Sequence, residues 1–413
     1  MEKQTIDDFS LNSSFYYLGL ISGLVALLLT ETFLEVPDVL LYGIELLSFA
    51  ALSIQLLSVI GELSLWSKIV CLLVFVVSII IGYNTESIFF MFFFFASVYG
   101  AKGLVYSDIL KVYFRTSFLF CISVLTLCYL GFVKNKIDFA FEREMLAGAT
   151  ERNSFGYAWP TDLASHIFFV LLTFWIMRKG RLPVIHLILF LGIIYWLLIY
   201  TDARLGCGCI LLLLLFSVYL YFQSKIPSFL NNLFGTCTVL WIPLLLFGSL
   251  WTAINYDPSN LIWVGTDMLL SGRLRIGQEM LYDEGVTFFG QIVDMNGGDV
   301  MAEDYSYIDS SFLQSMIIYG VVFSALLIIA YVYVSYKAYR RKDYAFLCAV
   351  FISGISGFVA QHFLQIFMNP LLIALFAEHI TNDNSDNGQM EEKELNAPEY
   401  GYLSIEIEHP TGT

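Results

Sequence analysis

Twelve apolar runs, each close to the length that crosses a lipid bilayer, occupy most of the chain between residues 15 and 377. They fall approximately at 15–33, 39–60, 66–83, 87–98, 109–132, 162–177, 183–200, 207–222, 233–251, 312–336, 344–360 and 364–377. A span needs about 20 mostly apolar residues to cross roughly 30 Å of hydrocarbon, and its backbone must satisfy its own hydrogen bonds there, so helices are the expected form. Composition agrees: 14% of residues are charged, where a soluble domain carries about a quarter. The expected fold class is all-α, a polytopic transmembrane bundle of about 12 spans (10–12) over residues 1–377. The runs at 87–98, 344–360 and 364–377 carry the weakest signal.

Residues 1–14 hold Glu2, Asp7 and Asp8 against Lys3, so a basic signal-peptide start is lacking and the first span is expected to remain as an anchor. The seven cysteines sit in or beside the spans and read as small apolar residues, with neither disulfide nor zinc spacing. The tail, 378–413, is polar with a net charge of -8 and is expected to be disordered in the cytoplasm.

Orientation follows from Lys and Arg, which favour cytoplasmic loops. With the N-terminus inside and twelve alternating spans, 14 of the 21 basic residues lie inside. Both termini are then cytoplasmic. The outer seven are Lys134, Lys136, Arg143, Arg152, Arg204, Arg273 and Arg275. Their arginine bias runs against the topology rule, and a planar fork that grips phosphate bidentately would explain it. Ion pairing with Glu142, Glu144, Glu151 and Asp202 is the plain alternative.

The outer loops are expected at 133–161 and 253–311, and the second, with a net charge of -8, is long enough to shape a site. Leu270, Leu274, Gly277 and Leu281 share one helical stripe, with Ser271 as N-cap and Gly285 as stop. The expected structure is a short amphipathic helix on the membrane surface. Arg273 and Arg275, in its first turn, together with the free N–H groups of the helix start, would hold an anion; snorkelling arginines are the alternative.

Three further segments face the same side. Arg152 to Thr161 leads into the sixth span, where Thr161 or Asp162 can cap a helix with its positive end outward. Thr201 to Gly206 is a tight turn carrying Arg204. Gln361-His362 precedes Asn369-Pro370, placing an imidazole at the membrane edge. His362 and His166 each have an ordinary reading as hydrogen-bonded packing residues.

Taken in order, these segments resemble the Wzy-type polysaccharide polymerases, related to the O-antigen ligases. Arg152 to Thr161 is similar to that family's Arg-x-Ser-Leu-Gly-Phe-x-His-Pro-Asn motif, Arg204 to the arginine after its seventh span, and Leu270-Ser271-Gly272-Arg273-Leu274, Phe289-Gly290 and Asp309 to Leu313 with Tyr319-Gly320 to its Ser-Gly-Arg, Phe-Gly, Asp-x-x-Tyr-Leu and Tyr-Gly pattern. His362 with Asn369-Pro370 looks like the closing His and Asn-Pro pair. Trp159 and Thr161 stand where the motif has histidine and asparagine, so no role carries over to them.

The resemblance implies a glycosyltransferase that joins oligosaccharide repeat units carried on undecaprenyl pyrophosphate, at the outer face of the cytoplasmic membrane, into capsular or exopolysaccharide. Arg273, Arg204 and Arg152, with Arg275 and Ser271 beside them, are the expected pyrophosphate ligands. His362 is the expected base and Asp309 its rival. Trp251, Trp263, Tyr256, Tyr305 and Tyr307 offer rings for sugars or an interfacial belt. Expected partners are the lipid-linked oligosaccharide, membrane lipid, a flippase and a chain-length regulator, without nucleic acid, metal or other cofactor. The alternatives are a ligase that transfers finished polymer, and a flippase or transporter, against which stands the scarcity of ionisable residues within the spans, mainly Glu31, Glu45 and His166.

Overall fold

The computed structural model describes residues 2–139, 151–297 and 306–379, which are almost wholly helical. Five helices come first: α1 (Glu2–Thr30), α2 (Asp38–Glu62), α3 (Leu65–Asn84), α4 (Ile88–Tyr99) and α5 (Tyr106–Tyr129). An antiparallel hairpin of β1 (Ile137–Phe139) and β2 (Glu151–Asn153) leads into α6 (Pro160–Met177), α7 (Val184–Tyr200) and α8 (Arg204–Phe222). There follow α9 (Ser228–Val239), α10 (Trp241–Asn255), α11 (Leu261–Leu269), α12 (Arg273–Glu284), α13 (Ser311–Ile317), α14 (Gly320–Arg340) and α15 (Tyr344–Val359). Arg143, Glu142, Glu144, Tyr305 and the acidic tail beyond His379 lie outside the described residues.

Among the described residues, seven helices are long and apolar enough to cross a membrane: α1, α2, α3, α5, α6, α8 and α14. The pair α9–α10, bent by 52°, makes an eighth if it counts as one span. The twelve expected spans are therefore not all of spanning form. Three are shorter apolar helices, α4, α7 and α15, of 12, 17 and 16 residues. The run expected at 312–336 is broken between α13 and α14. Its break has a steric cause: Gly320 sits at φ +88°, and a Cβ there would stand 2.5 Å from Gly290 N and 2.7 Å from Phe288 O. Only glycine lets the loop backbone pass so close.

The last expected span, 364–377, is not an α-helix but an irregular segment with a 3-10 stretch at Pro370–Leu375. Its two ends lie at opposite ends of the bundle. His362, just before it, bonds Asp162 at the start of α6. Glu378, just after it, pairs with Val105 beside the start of α5. The far end of α5, about 36 Å away, instead meets the chain before α6, where the Tyr129 and Phe155 rings stack with centroids 6.2 Å apart. About 14 residues wound as α-helix would rise only ~21 Å, so a more extended path covers the distance. Pro370 lacks an N–H and turns Asn369 away from helical geometry, to φ -115° and ψ 97°. The freed carbonyls accept from neighbouring tyrosines, Tyr113 Oη to Phe367 O at 2.6 Å and Tyr106 Oη to Pro370 O at 3.4 Å. Asn369 Nδ2 donates to Tyr331 Oη at 3.0 Å. Non-helical backbone at membrane depth is tolerated only when protein satisfies it in this way.

The central helix is α6, with 72% of its length buried against 17% for α3. Phe168, Phe169 and Trp175 are fully buried on it, and Trp175 Nε1 donates to Ser217 Oγ of α8 at 2.7 Å. Gly206 allows that approach, since a Cβ there would stand 3.1 Å from Ala164 Cβ. The core helix thus presents its first turn to whatever gathers at that end of the bundle.

Candidate functional site

The site gathers where α1 finishes and α6 begins. Thr32 bridges to Tyr157, and Ala158 N donates to Glu31 O at 2.9 Å. Because α1 stops at Thr30, Glu31 stands just past the helix rather than within a span. α6 opens with Pro160, whose missing N–H costs nothing there, and Asp162 Oδ2 caps the turn by accepting from Trp159 N at 3.1 Å. Asp162 Oδ1 lies 3.1 Å from His362 Nε2, with both side chains 3% exposed. One turn along α6, His166 Nδ1 shares a 2.7 Å hydrogen bond with Tyr157 Oη.

The segment before α13 is pinned to the turn that carries His362. Ser311 Oγ donates to Ala360 O at 2.6 Å, and Tyr307 Oη to Gln361 Oε1 at 2.5 Å. Gln314 Nε2 also donates to Gln361 Oε1, at 3.1 Å. Asp309 is thereby held near His362 and faces Arg273, whose Nε lies 3.1 Å from Asp309 Oδ2. Arg273 Nη1 donates to Leu270 O at 3.0 Å. Its Nε makes no aligned hydrogen bond among the described residues despite that proximity, so the contact is an ion pair rather than a bidentate fork.

These charges act on one another. Burial pushes the Asp309 carboxyl above the usual carboxylate range, Arg273 and then His362 oppose the shift, and Asp162 adds to it. Glu31, which accepts from Gln365 Nε2 at 3.0 Å, is pushed up to about 7 by burial and then by the charge of Asp162, with His362 and Gln365 pulling back. Burial likewise raises the Tyr307 phenol.

α12 begins at Arg273 after an N-cap at Gly272, one residue beyond the expected cap at Ser271, and ends, as expected, before Gly285 at φ +69°. Its cap is not Ser271. Ser271 and Gly272 form a left-handed turn at φ +56° and +79°, and Asp267 Oδ1 reaches forward from α11 to accept from Leu274 N at 2.8 Å and Arg275 N at 3.1 Å. The helix start therefore already holds a carboxylate, and the expected anion site on its N–H groups is occupied from within. Nor does α12 lie free on a surface: Ile276 and Met280 pack with Ala253, Ile308, Leu313 and Ile317.

The other arginines go elsewhere. Arg275 pairs with Glu279 at 3.0 Å on an exposed face. Arg152 on β2 lies 3.6 Å from Asp138 and donates from Nε to Thr201 O at 3.1 Å. Arg204 pairs with Asp202 at 3.1 Å and is 66% exposed. Arg152 and Arg204 thus share the Thr201–Asp202 turn, while Arg273 joins Asp309 and His362. Among the rings, Trp251 and Trp263 lie 5.6 Å apart beside Tyr256. An open cleft of about 880 Å³ runs past Leu27, Asn84, Ser87, Phe90 and Gly290, without Arg273 or His362 in its lining. Among the described residues, no group of three or more His, Cys, Asp or Glu is placed to hold a metal.

Gln361 lies in the Gln361-His362 segment that the sequence singles out, whereas nothing in the sequence points to Asp162, Glu31 and Gln365 as partners within the site. Asp162 reads in sequence as a cap; only its i,i+4 spacing to His166 hinted at a second use. Comparison with family models, curated proteins and solved structures gives no match for this chain.

Proposed function

We propose that this chain is a membrane glycosyltransferase that polymerises oligosaccharide repeat units carried on undecaprenyl pyrophosphate, at the outer face of the cytoplasmic membrane. One observation carries the reading: a partly buried arginine paired with Asp309 and a buried histidine paired with Asp162 gather at a single end of an apolar bundle, with Tyr307 bonded to Gln361 between them in sequence. That set matches the chemistry required. A hydroxyl of the incoming unit gives its proton to His362 as its oxygen forms a bond to the anomeric carbon of the growing chain. The bond from that carbon to pyrophosphate breaks, and the lipid pyrophosphate leaves with the electron pair. Negative charge grows on the leaving group, and Arg273, with Nε lacking an aligned partner, is the cation to stabilise it more in the transition state than before. Arg152 and Arg204, on their shared turn, would steer the anionic headgroup inward.

The glycans of a strain lacking the chain test this. Lipid-linked single repeat units accumulating on the outer face support polymerisation. Long polymer still on lipid would mean a ligase, and single units trapped inside would mean a flippase; either result overturns the proposal.

A further inference from the structure

The geometry points to Asp162 as a positioning residue that fixes the ring of His362 in the one tautomer able to accept a proton from a substrate hydroxyl. This rests on the polymerase reading for its chemistry, though not for its hydrogen bonding. Asp162 has two oxygens with two different partners: Oδ2 accepts from Trp159 N and Oδ1 faces His362 Nε2. A carboxylate only accepts, and so does not tolerate a second lone pair at 3.1 Å. Nε2 must therefore carry the hydrogen, which leaves Nδ1 as the basic nitrogen. The Trp159 N–H donates to Oδ2 at 3.1 Å, so Asp162 acts as an acceptor on that side as well.

A second observation makes the arrangement more than a helix cap. His362 Nδ1 is buried and has no hydrogen-bond partner among the described residues, although the residue is only 2% exposed. A packing histidine with both nitrogens engaged would look different. Around it stand Glu31 past α1, tied to Gln365, and Asp309 before α13, tied to Arg273. His166 on α6 is engaged with Tyr157 through its own Nδ1, and its Nε2 is without a hydrogen-bond partner among the described residues. None of these supplies Nδ1 with a partner, and an acceptor hydroxyl would.

Asp162→Asn separates positioning from capping. Asparagine keeps the size and one oxygen, which still caps Trp159 N, and then turns its NH₂ toward His362 Nε2. The ring must take the other tautomer, with Nδ1 protonated and no longer basic. The expected result is a fall in kcat of about 100-fold to 10,000-fold, with KM changed little, as when a triad aspartate is amidated. Added to His362→Gln, Asp162→Asn should cost nothing further, since the two residues act as one unit. A second measurement needs no substrate. The protein has five histidines, so ¹⁵N-histidine spectra of purified wild type, with His362→Gln for assignment, read the tautomer directly. Wild type should show Nε2–H with a bare Nδ1, and Asp162→Asn the reverse. An unchanged tautomer in the well-folded variant, or turnover within about threefold of wild type in a preparation that does polymerise, overturns the assignment. If wild type makes no polymer while the tautomer switches as described, the polymerase reading fails and the positioning role stands.

Discussion

Arg273 and Asp309 form an ion pair across the loop between α12 and α13, Nε 3.1 Å from Oδ2, with side chains 22% and 25% exposed. The pair joins the helix that carries the Ser-Gly-Arg turn to the segment that carries Tyr307, so a change at either residue reaches both.

If Arg273 grips pyrophosphate through its planar fork, Arg273→Lys keeps the charge and loses the geometry. It should lower polymer formation almost as far as Arg273→Ala does, on the order of 100-fold, or about 3 kcal/mol. Arg275→Lys, in its exposed pair with Glu279, should change turnover less than about threefold. The measurement is polymer made by purified membranes given lipid-linked repeat units, at matched protein amounts. Near-normal polymer from Arg273→Lys would move the role to Arg204.

Glu31 makes stability depend on pH. Its carboxyl is held up to about 7 in the folded protein against 4.5 for an ordinary glutamate, so the folded state keeps the proton more tightly than the unfolded one. Stability from this group is greatest below about 4.5 and declines as pH rises through 7, by on the order of 3 kcal/mol. Glu31→Gln retains an oxygen for Gln365 and removes that decline. Its melting temperature in detergent should exceed wild type at pH 8 and match it near pH 4.5; an equal difference at both values would contradict the account.

Gly320→Ala should destabilise the protein by roughly 2–4 kcal/mol, from a left-handed backbone and a Cβ pressed on the Gly290 and Phe288 backbone. Gly43→Ala on α2, where a Cβ meets nothing within 4 Å, should be neutral or stabilise by up to about 1 kcal/mol. Thermal unfolding of the two variants side by side gives the comparison.

Lys179, Lys225 and Arg341 follow the ends of α6, α8 and α14, all away from the Asp162 end. Reporters fused after each should read cytoplasm, and reporters within 253–311 the outside. A cytoplasmic signal from the long loop would place the site on the wrong side for outward-facing repeat units.

Membrane-spanning apolarity was legible because hydrocarbon imposes its length requirement on each segment separately. The stop of α12 at Gly285 was legible for a similar reason, being local backbone chemistry. Its cap was not, because the carboxylate comes from Asp267 on the preceding helix, which no spacing rule at Ser271 could signal. Apolarity also misled at 364–377, where a buried irregular segment of turns and 3-10 helix has the same composition as an α-helix. In the candidate site, Arg273, Asp309 and His362 stand out in the chain itself, but Asp162 has the local signature of a cap and Glu31 that of a span residue. Their second role depends on a meeting with residues some 200 and 330 positions away, which tertiary packing decides.

The path of residues 364–377 bears on how the molecule is assembled. A helix can enter a bilayer alone, its backbone already satisfied; this stretch cannot, because its carbonyls need the hydroxyls of Tyr106 and Tyr113 on α5 and its Asn369 needs Tyr331 on α14. It can settle only after those helices have met. His362 stands at its head, so the imidazole reaches Asp162 with the last piece of the bundle to find its place, and a half-assembled chain holds no complete site.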